Sequence, residues 1–222
     1  INEENLREDI RKSRSFKDVL MKKDISRKEI AYIEESKMRL PGIHIKVEPL
    51  RSYVHKDLAV HILGYLGEVS KKELETPEYR RYELGEMIGK NGLENIYEFN
   101  LKGKKGFKEV EVDVSGRELK TLRKRSPEIG DSLVLTLDVR IQKKLEELME
   151  KNSETDPVEG SVVVMKVQTG EIVAMVSKPS FDPNLFAVGI SRKKWNSLIQ
   201  DDTHPLQNRA IDGQYPPAST YK

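Results

Sequence analysis

Gly213-Gln214-Tyr215-Pro216-Pro217-Ala218-Ser219-Thr220-Tyr221-Lys222 ends the sequence on a serine followed three residues later by a lysine. On a helix that spacing places both side chains on one face, about one turn apart. A lysine so placed can take the serine's proton and turn a weak hydroxyl into a nucleophile. Pro216-Pro217 stiffens the approach and does not extend a helix backwards. Ser219 then falls at or near a helix N-terminus, where backbone N–H groups favour developing negative charge. The same spacing also fits an ordinary capped helix with a surface lysine. A second copy, Ser191-Arg192-Lys193-Lys194, reads that way, with Ser191 as cap and a solvated basic turn behind it.

Upstream of Ser219 the pattern is mixed helix and strand. Residues 161–167, a Thr169-Gly170 turn and residues 171–176 predict a hairpin of apolar strands. Residues 177–184 are Pro-rich and read as loop, and 191–200 as a helix carrying Trp195, the single tryptophan. Residues 132–137 read as a strand, after which Asp138 caps a helix with Ile141, Leu145, Leu148 and Met149 as its apolar positions. Residues 127–131 read as a tight connection and a domain boundary.

Before that boundary, residues 107–114 alternate as a strand and 117–125 form a basic, solvated strand face. Gly92-Leu93-Glu94 opens a helix that carries Ile96, Tyr97 and Phe99, and residues 55–65 read as a short helix ending near Gly64. Residues 71–89 read as a charged, helical, solvent-facing insertion. Residues 43–48 alternate like a half-buried strand. Ser26 and Glu29 form a capping box, with Ile25 and Ile30 as its hydrophobic staple.

Composition narrows the classes. The 222 residues carry 39 Lys+Arg against 37 Asp+Glu, a net charge of +2 that gives no strong electrostatic case for nucleic acid. Cysteine is absent, which excludes disulfides and Cys-type zinc sites. No signal peptide and no apolar run near 18 residues occurs. His44, His55, His61 and His204 are scattered without metal-ligand spacing and read as surface or core residues. Trp195, Tyr215 and Tyr221 read as packing residues, and Asp182 and Asn184 as turn-fixing residues around Pro183.

Taken in order, these pieces resemble the class B penicillin-binding proteins, the monofunctional peptidoglycan transpeptidases. Gly160-Ser161-Val162-Val163-Val164, Thr169-Gly170-Glu171-Ile172-Val173, Pro179-Ser180-Phe181-Asp182-Pro183-Asn184, Asn208-Arg209-Ala210 and Tyr215 to Lys222 resemble the run into that family's catalytic serine. Gly92-Leu93-Glu94, Tyr97-Glu98, Gly103, Glu109-Val110-Glu111-Val112-Asp113 and Gly116-Arg117 resemble its non-catalytic pedestal, in wording closer to the elongation type, penicillin-binding protein 2, than to the division type. The resemblance implies an α+β fold. A mixed α/β pedestal over 1–130 precedes the N-terminal part of a penicillin-binding/β-lactamase-like transpeptidase domain over 131–222. Ala218 stands where the family usually has glycine, and the family's Ser-x-Asn and Lys-Ser/Thr-Gly motifs do not occur in the 222 residues.

By that resemblance Ser219 is the acylated nucleophile and Lys222 its base, with no cofactor and no metal. The substrates implied are peptidoglycan stem peptides, crosslinked by D,D-transpeptidation during cell elongation, and β-lactams acylate the same serine. A scaffold of the MreC type and a glycosyltransferase of the RodA type are the partners implied. So is a single-pass anchor in the inner membrane before Ile1, with this region on the periplasmic or extracytoplasmic side. The 222 residues alone are expected not to acylate. Two other readings stay open at this point: a non-catalytic binding platform for elongation partners, and a β-lactamase or β-lactam sensor, which share Ser-x-x-Lys.

Overall fold

Ser26 and Glu29 close the capping box expected of them. Ser26 Oγ accepts from Glu29 N–H at 3.3 Å, and Ser26 N–H donates to Glu29 Oε2 at 2.8 Å. They start helix α1, Arg27–Glu35. The computed structural model describes residues 6–7, 10–11, 19–22, 24–47, 49–113, 118–152, 158–216 and 219. The chain divides into two compact units, 1–50 and 51–222. In the first, residues 43–47 form no strand although their sequence alternates. A strand needs a ladder partner, and Val47 stands 92% exposed.

The second unit opens with the one-turn helix α2, Val60–Leu63, and strand β1, Leu66–Glu68. The charged stretch 71–89 begins as helix α3, Lys71–Leu74, capped by Ser70 and Glu73, continues through turns, and ends as strand β2, Met87–Gly89. β1 and β2 pair antiparallel, Gly67 opposite Ile88. Helices α4, Gly92–Ile96, and α5, Glu98–Leu101, follow. Gly89 must be glycine because a Cβ there would lie 2.1 Å from the carbonyl oxygen of Glu94. Its N–H donates to buried Glu98 Oε2 at 2.8 Å, and Tyr82 OH donates to Glu98 Oε1 at 2.8 Å. Strands β3, Phe107–Val112, and β4, Glu118–Arg125, then form a bulged antiparallel ribbon.

Residues 132–137, expected as a strand, form none. They reach the neighbouring hairpin through Thr136 Oγ1 donating to Ile172 O at 2.6 Å, continued by Asp138 N–H donating to Val173 O at 2.8 Å. Helix α6, Val139–Asn152, starts as expected, with Asp138 Oδ1 accepting from Arg140 N–H at 2.9 Å. The face it buries differs from its apolar stripe. Gln142 is 1% and Glu146 8% exposed, while Ile141 is 40% exposed. The reason is hydrogen bonding. Gln142 Nε2 donates to Met175 O at 2.9 Å and Gln142 Oε1 accepts from Met175 N–H at 2.8 Å, so a polar side chain extends the edge of strand β6, Ile172–Lys178.

Strand β5, Gly160–Met165, pairs antiparallel with β6 in the expected hairpin, Val162 opposite Val176. Asp182 Oδ1 accepts from the Asn184 backbone N–H at 2.9 Å and from its Nδ2–H at 2.8 Å, fixing the turn into helix α7, Asn184–Ala187. Helix α8, Arg192–Ile199, and the short α9, Arg209–Asp212, complete the order. The core sits between α2 and α7. Val60, Phe181 and Phe186 are buried together, with Tyr65, Leu185, Ile190, Trp195, Leu198 and Leu206 packed around them. Trp195 meets Phe186 edge-on at 6.0 Å, in the packing role expected of it.

Candidate functional site

Ser191 settles the first of the two Ser-x-x-Lys copies. Its Oγ accepts from Lys194 N–H at 3.3 Å and caps α8, with Lys194 exposed, as an ordinary helix start does. The terminal copy is placed differently. Ser219 is exposed, with a helical backbone conformation. Lys222, Ala218, Thr220 and Tyr221 lie outside the described residues.

The run into Ser219 is built on the loop 203–209. Asn208 Oδ1 accepts from Ala210 N–H at 3.2 Å, capping α9, while its Nδ2 donates to His61 O at 3.2 Å. His61 Nε2 donates to Pro205 O at 2.8 Å; a carbonyl offers only lone pairs, so that nitrogen carries the proton. Ser177 Oγ, at the end of β6, accepts from Arg209 N–H at 2.9 Å and donates to Gln207 O at 3.3 Å. Arg209 is buried and turns back on the loop. Its guanidinium donates to Thr203 O at 2.7 Å and His204 O at 3.3 Å, and pairs with Glu159 Oε2 at 2.9 Å. Burial pushes the His61 imidazole below its ordinary pKa, against the pull of its bond to Pro205, so it is held neutral.

A second constellation, not legible in the sequence, lies beside the first. Lys178, the last residue of β6, has a side chain 5% exposed. Its Nζ lies 2.8 Å from Glu150 Oε1, 3.3 Å from Glu146 Oε2 and 3.8 Å from Asp57 Oδ2. Burial opposes its charge, yet the Glu150 and Glu146 carboxylates hold its pKa above the ordinary value. Glu146 Oε1 in turn accepts from Ala59 N–H at 3.0 Å and Gln142 Nε2 at 2.9 Å. Such a cation stays protonated and serves no base chemistry; it ties α6, β6 and the stretch before α2 together. No grouping of His, Asp and Glu suited to a metal ion occurs among the described residues, where His44, His55 and His204 are exposed and His61 buried. No helix among those residues is long and apolar enough to cross a membrane.

The arrangement offers an exposed serine, Ser219, ten residues after Arg209 in the braced loop. Comparison with known proteins matches residues 1–135 to the penicillin-binding protein dimerisation domain and residues 160–222 to the penicillin-binding protein transpeptidase domain. The peptidoglycan D,D-transpeptidase MrdA of Acinetobacter baumannii is 37% identical over 96% of this chain, and that of Escherichia coli 35% over 95%. The chain spans about a third of the length of these relatives, 31% and 33%. Among solved structures, the complex between PBP2 and MreC from Helicobacter pylori aligns with 87% of this chain and 35% of that one, at a TM-score of 0.70 and 33% identity. PBP2 of Pseudomonas aeruginosa in complex with WCK 5153 aligns with 77% of this chain and 33% of that one, at a TM-score of 0.59 and 32% identity. The fold is α+β as the sequence implies, and the two domain types follow one another in the family's order; the chain belongs to the class B penicillin-binding proteins of the elongation type.

Proposed function

We propose that this chain is the pedestal and the first part of the transpeptidase domain of a peptidoglycan D,D-transpeptidase that crosslinks stem peptides during cell elongation. Residues 1–130 form the pedestal and 131–222 the start of the catalytic domain. The observation that carries the reading is the position of Ser219-x-x-Lys222 at the end of the segment matched to the transpeptidase domain.

In this reading Ser219 Oγ attacks the carbonyl between two terminal D-alanines and its proton passes to Lys222 Nζ. Collapse of the tetrahedral intermediate breaks the amide bond. The departing D-alanine takes a proton, and an ester to Ser219 remains. An amine of a neighbouring stem peptide then attacks the ester, forming the crosslink and returning the proton to Ser219. The bond energy is already in the donor peptide, so no nucleotide enters. A β-lactam opens on the same serine, but its leaving group stays tethered and the ester persists. To act as base Lys222 must be neutral near pH 7, about 3 units below its usual value, a preference of roughly 4 kcal/mol. Burial and neighbouring positive charge supply such a shift.

The same reading places the chain outside the inner membrane, anchored by a single span, beside a RodA-type glycosyltransferase. An MreC-type scaffold as partner is supported by the neighbour solved as a PBP2–MreC complex. The binding-platform reading is compatible with catalysis, and exposed Val54, Ile96 and Phe99 favour it as a docking role for the pedestal. The match of residues 1–135 to a dimerisation domain disfavours a β-lactamase. The intact mass of the full-length protein with and without a penicillin, beside Ser219→Ala, tests the proposal. One drug-sized increment, absent in the variant, is expected. A folded wild-type protein with no increment would leave only the binding platform.

A further inference from the structure

α9 has four residues, too few for a helix to hold its own place. Its orientation is therefore set by its packing against β5 and β6 and by what grips its N-terminal end. One grip comes from far away in sequence: His61, 144 residues before Pro205, holds the loop through two separate groups. Its imidazole donates to Pro205 O at 2.8 Å, and its backbone carbonyl accepts from Asn208 Nδ2 at 3.2 Å. His61, Pro205 and Asn208 are all buried, so neither bond is exchanged freely for water. The ring is itself fixed, edge-on to Phe181 at 5.6 Å.

The hold is passed toward Ser219. A Cβ on Gly213 would lie 2.4 Å from Arg209 O and 2.5 Å from the Tyr215 ring, so the chain from α9 to Tyr215 is folded tightly on itself. Pro216-Pro217 then restricts backbone rotation in the remaining step to the serine. A displacement at Pro205 or Asn208 is thus passed along the chain as far as Tyr215.

We infer that His61 is a positioning residue for Ser219: carried by α2, it braces the loop 203–209 and so sets the approach of the nucleophile. The inference rests on the acyl-transfer reading above. It gives the pedestal side of the chain a direct mechanical hold on the catalytic run.

Two variants of the full-length protein test it. His61→Phe keeps an aromatic ring against Phe181 and removes the donor to Pro205. His61→Gln restores a donor on a different frame. Penicillin uptake is resolved into initial binding and acylation, and amide exchange is followed over 203–213. With His61→Phe, acylation is expected to slow roughly tenfold while initial binding changes less than about twofold. Exchange over 203–213 rises, and His61→Gln recovers most of the loss. Acylation at the wild-type rate in His61→Phe, a Gln variant no better than Phe, or an equal rise in exchange throughout the protein overturns the inference. Wild-type protein that takes up no penicillin, while His61→Phe still loosens 203–213, sinks the acyl-transfer reading and reduces His61 to a structural pin.

Discussion

Asn184 grips the backbone of Tyr53 at both polar groups: its Oδ1 accepts from Tyr53 N–H at 2.9 Å and its Nδ2 donates to Tyr53 O at 3.0 Å. One side chain thereby does for Tyr53 what a neighbouring strand would do. It joins the stretch leading into α2 to the start of α7, 131 residues later. Replacing Asn184 by Ala leaves both Tyr53 groups part-buried and without that partner. We expect a loss of about 1–3 kcal/mol, read as a lower urea midpoint at unchanged slope. Asn184→Asp keeps the acceptor and sets a charge against Tyr53 O, so it should not rescue. A wild-type midpoint in the Ala variant would remove this clamp from the account.

Lys178 pairs with Glu146, Glu150 and Asp57. Lys178→Met keeps most of the bulk but strands Glu146, which still holds Ala59 N–H and Gln142. The expected cost is about 3 kcal/mol, because a buried charge loses its counterion. Adding Glu146→Gln keeps the acceptor without the charge, and the double variant should be more stable than the sum of the two single losses predicts. Additive losses in that cycle would mean the pair is not coupled.

Acid should weaken the fold in two separate steps. His61 is held below its ordinary 6.5 by burial, so above that value neither state is charged and nothing is gained or lost. As the pH falls through 6.5 the unfolded chain takes a proton that folded His61 resists, and stability drops until the folded value is passed. Glu73 acts lower. Burial pulls it up, but hydrogen bonds from Lys90 and Ser70 prevail and hold it at about 2, so its contribution is present above 4.5 and fades as the pH falls toward 2. In His61→Phe the upper step should vanish and the lower one remain. An unchanged upper step would assign it to another group.

The two serines of the repeated motif should behave oppositely. Ser191→Ala removes the cap of α8 and should cost about 1 kcal/mol of stability while leaving penicillin uptake at the wild-type rate. Ser219→Ala should leave stability nearly unchanged, since the side chain is exposed, and abolish uptake. Lost uptake in Ser191→Ala at full stability would move the nucleophile to the first copy.

What the sequence by itself determined is local. The Ser26–Glu29 box, the Ser191 and Asp138 caps and the β5–β6 hairpin all depend on partners a few residues away or on a period of two, and each forms as read. The ordered motifs, including Ser219-x-x-Lys222, were likewise enough to name a family. Tertiary structure decided the rest. Residues 43–47 and 132–137 alternate like strands but find no ladder, because a strand is completed only by a distant neighbour. α6 buries Gln142 and Glu146 in preference to Ile141, because Met175, Ala59 and Lys178 offer hydrogen bonds that no periodicity announces. His61, one of four scattered histidines in the sequence, becomes a brace on the loop 203–209 only when the fold brings Pro205 and Asn208 to it, since hydrogen bonds read distance in space and not separation along the chain.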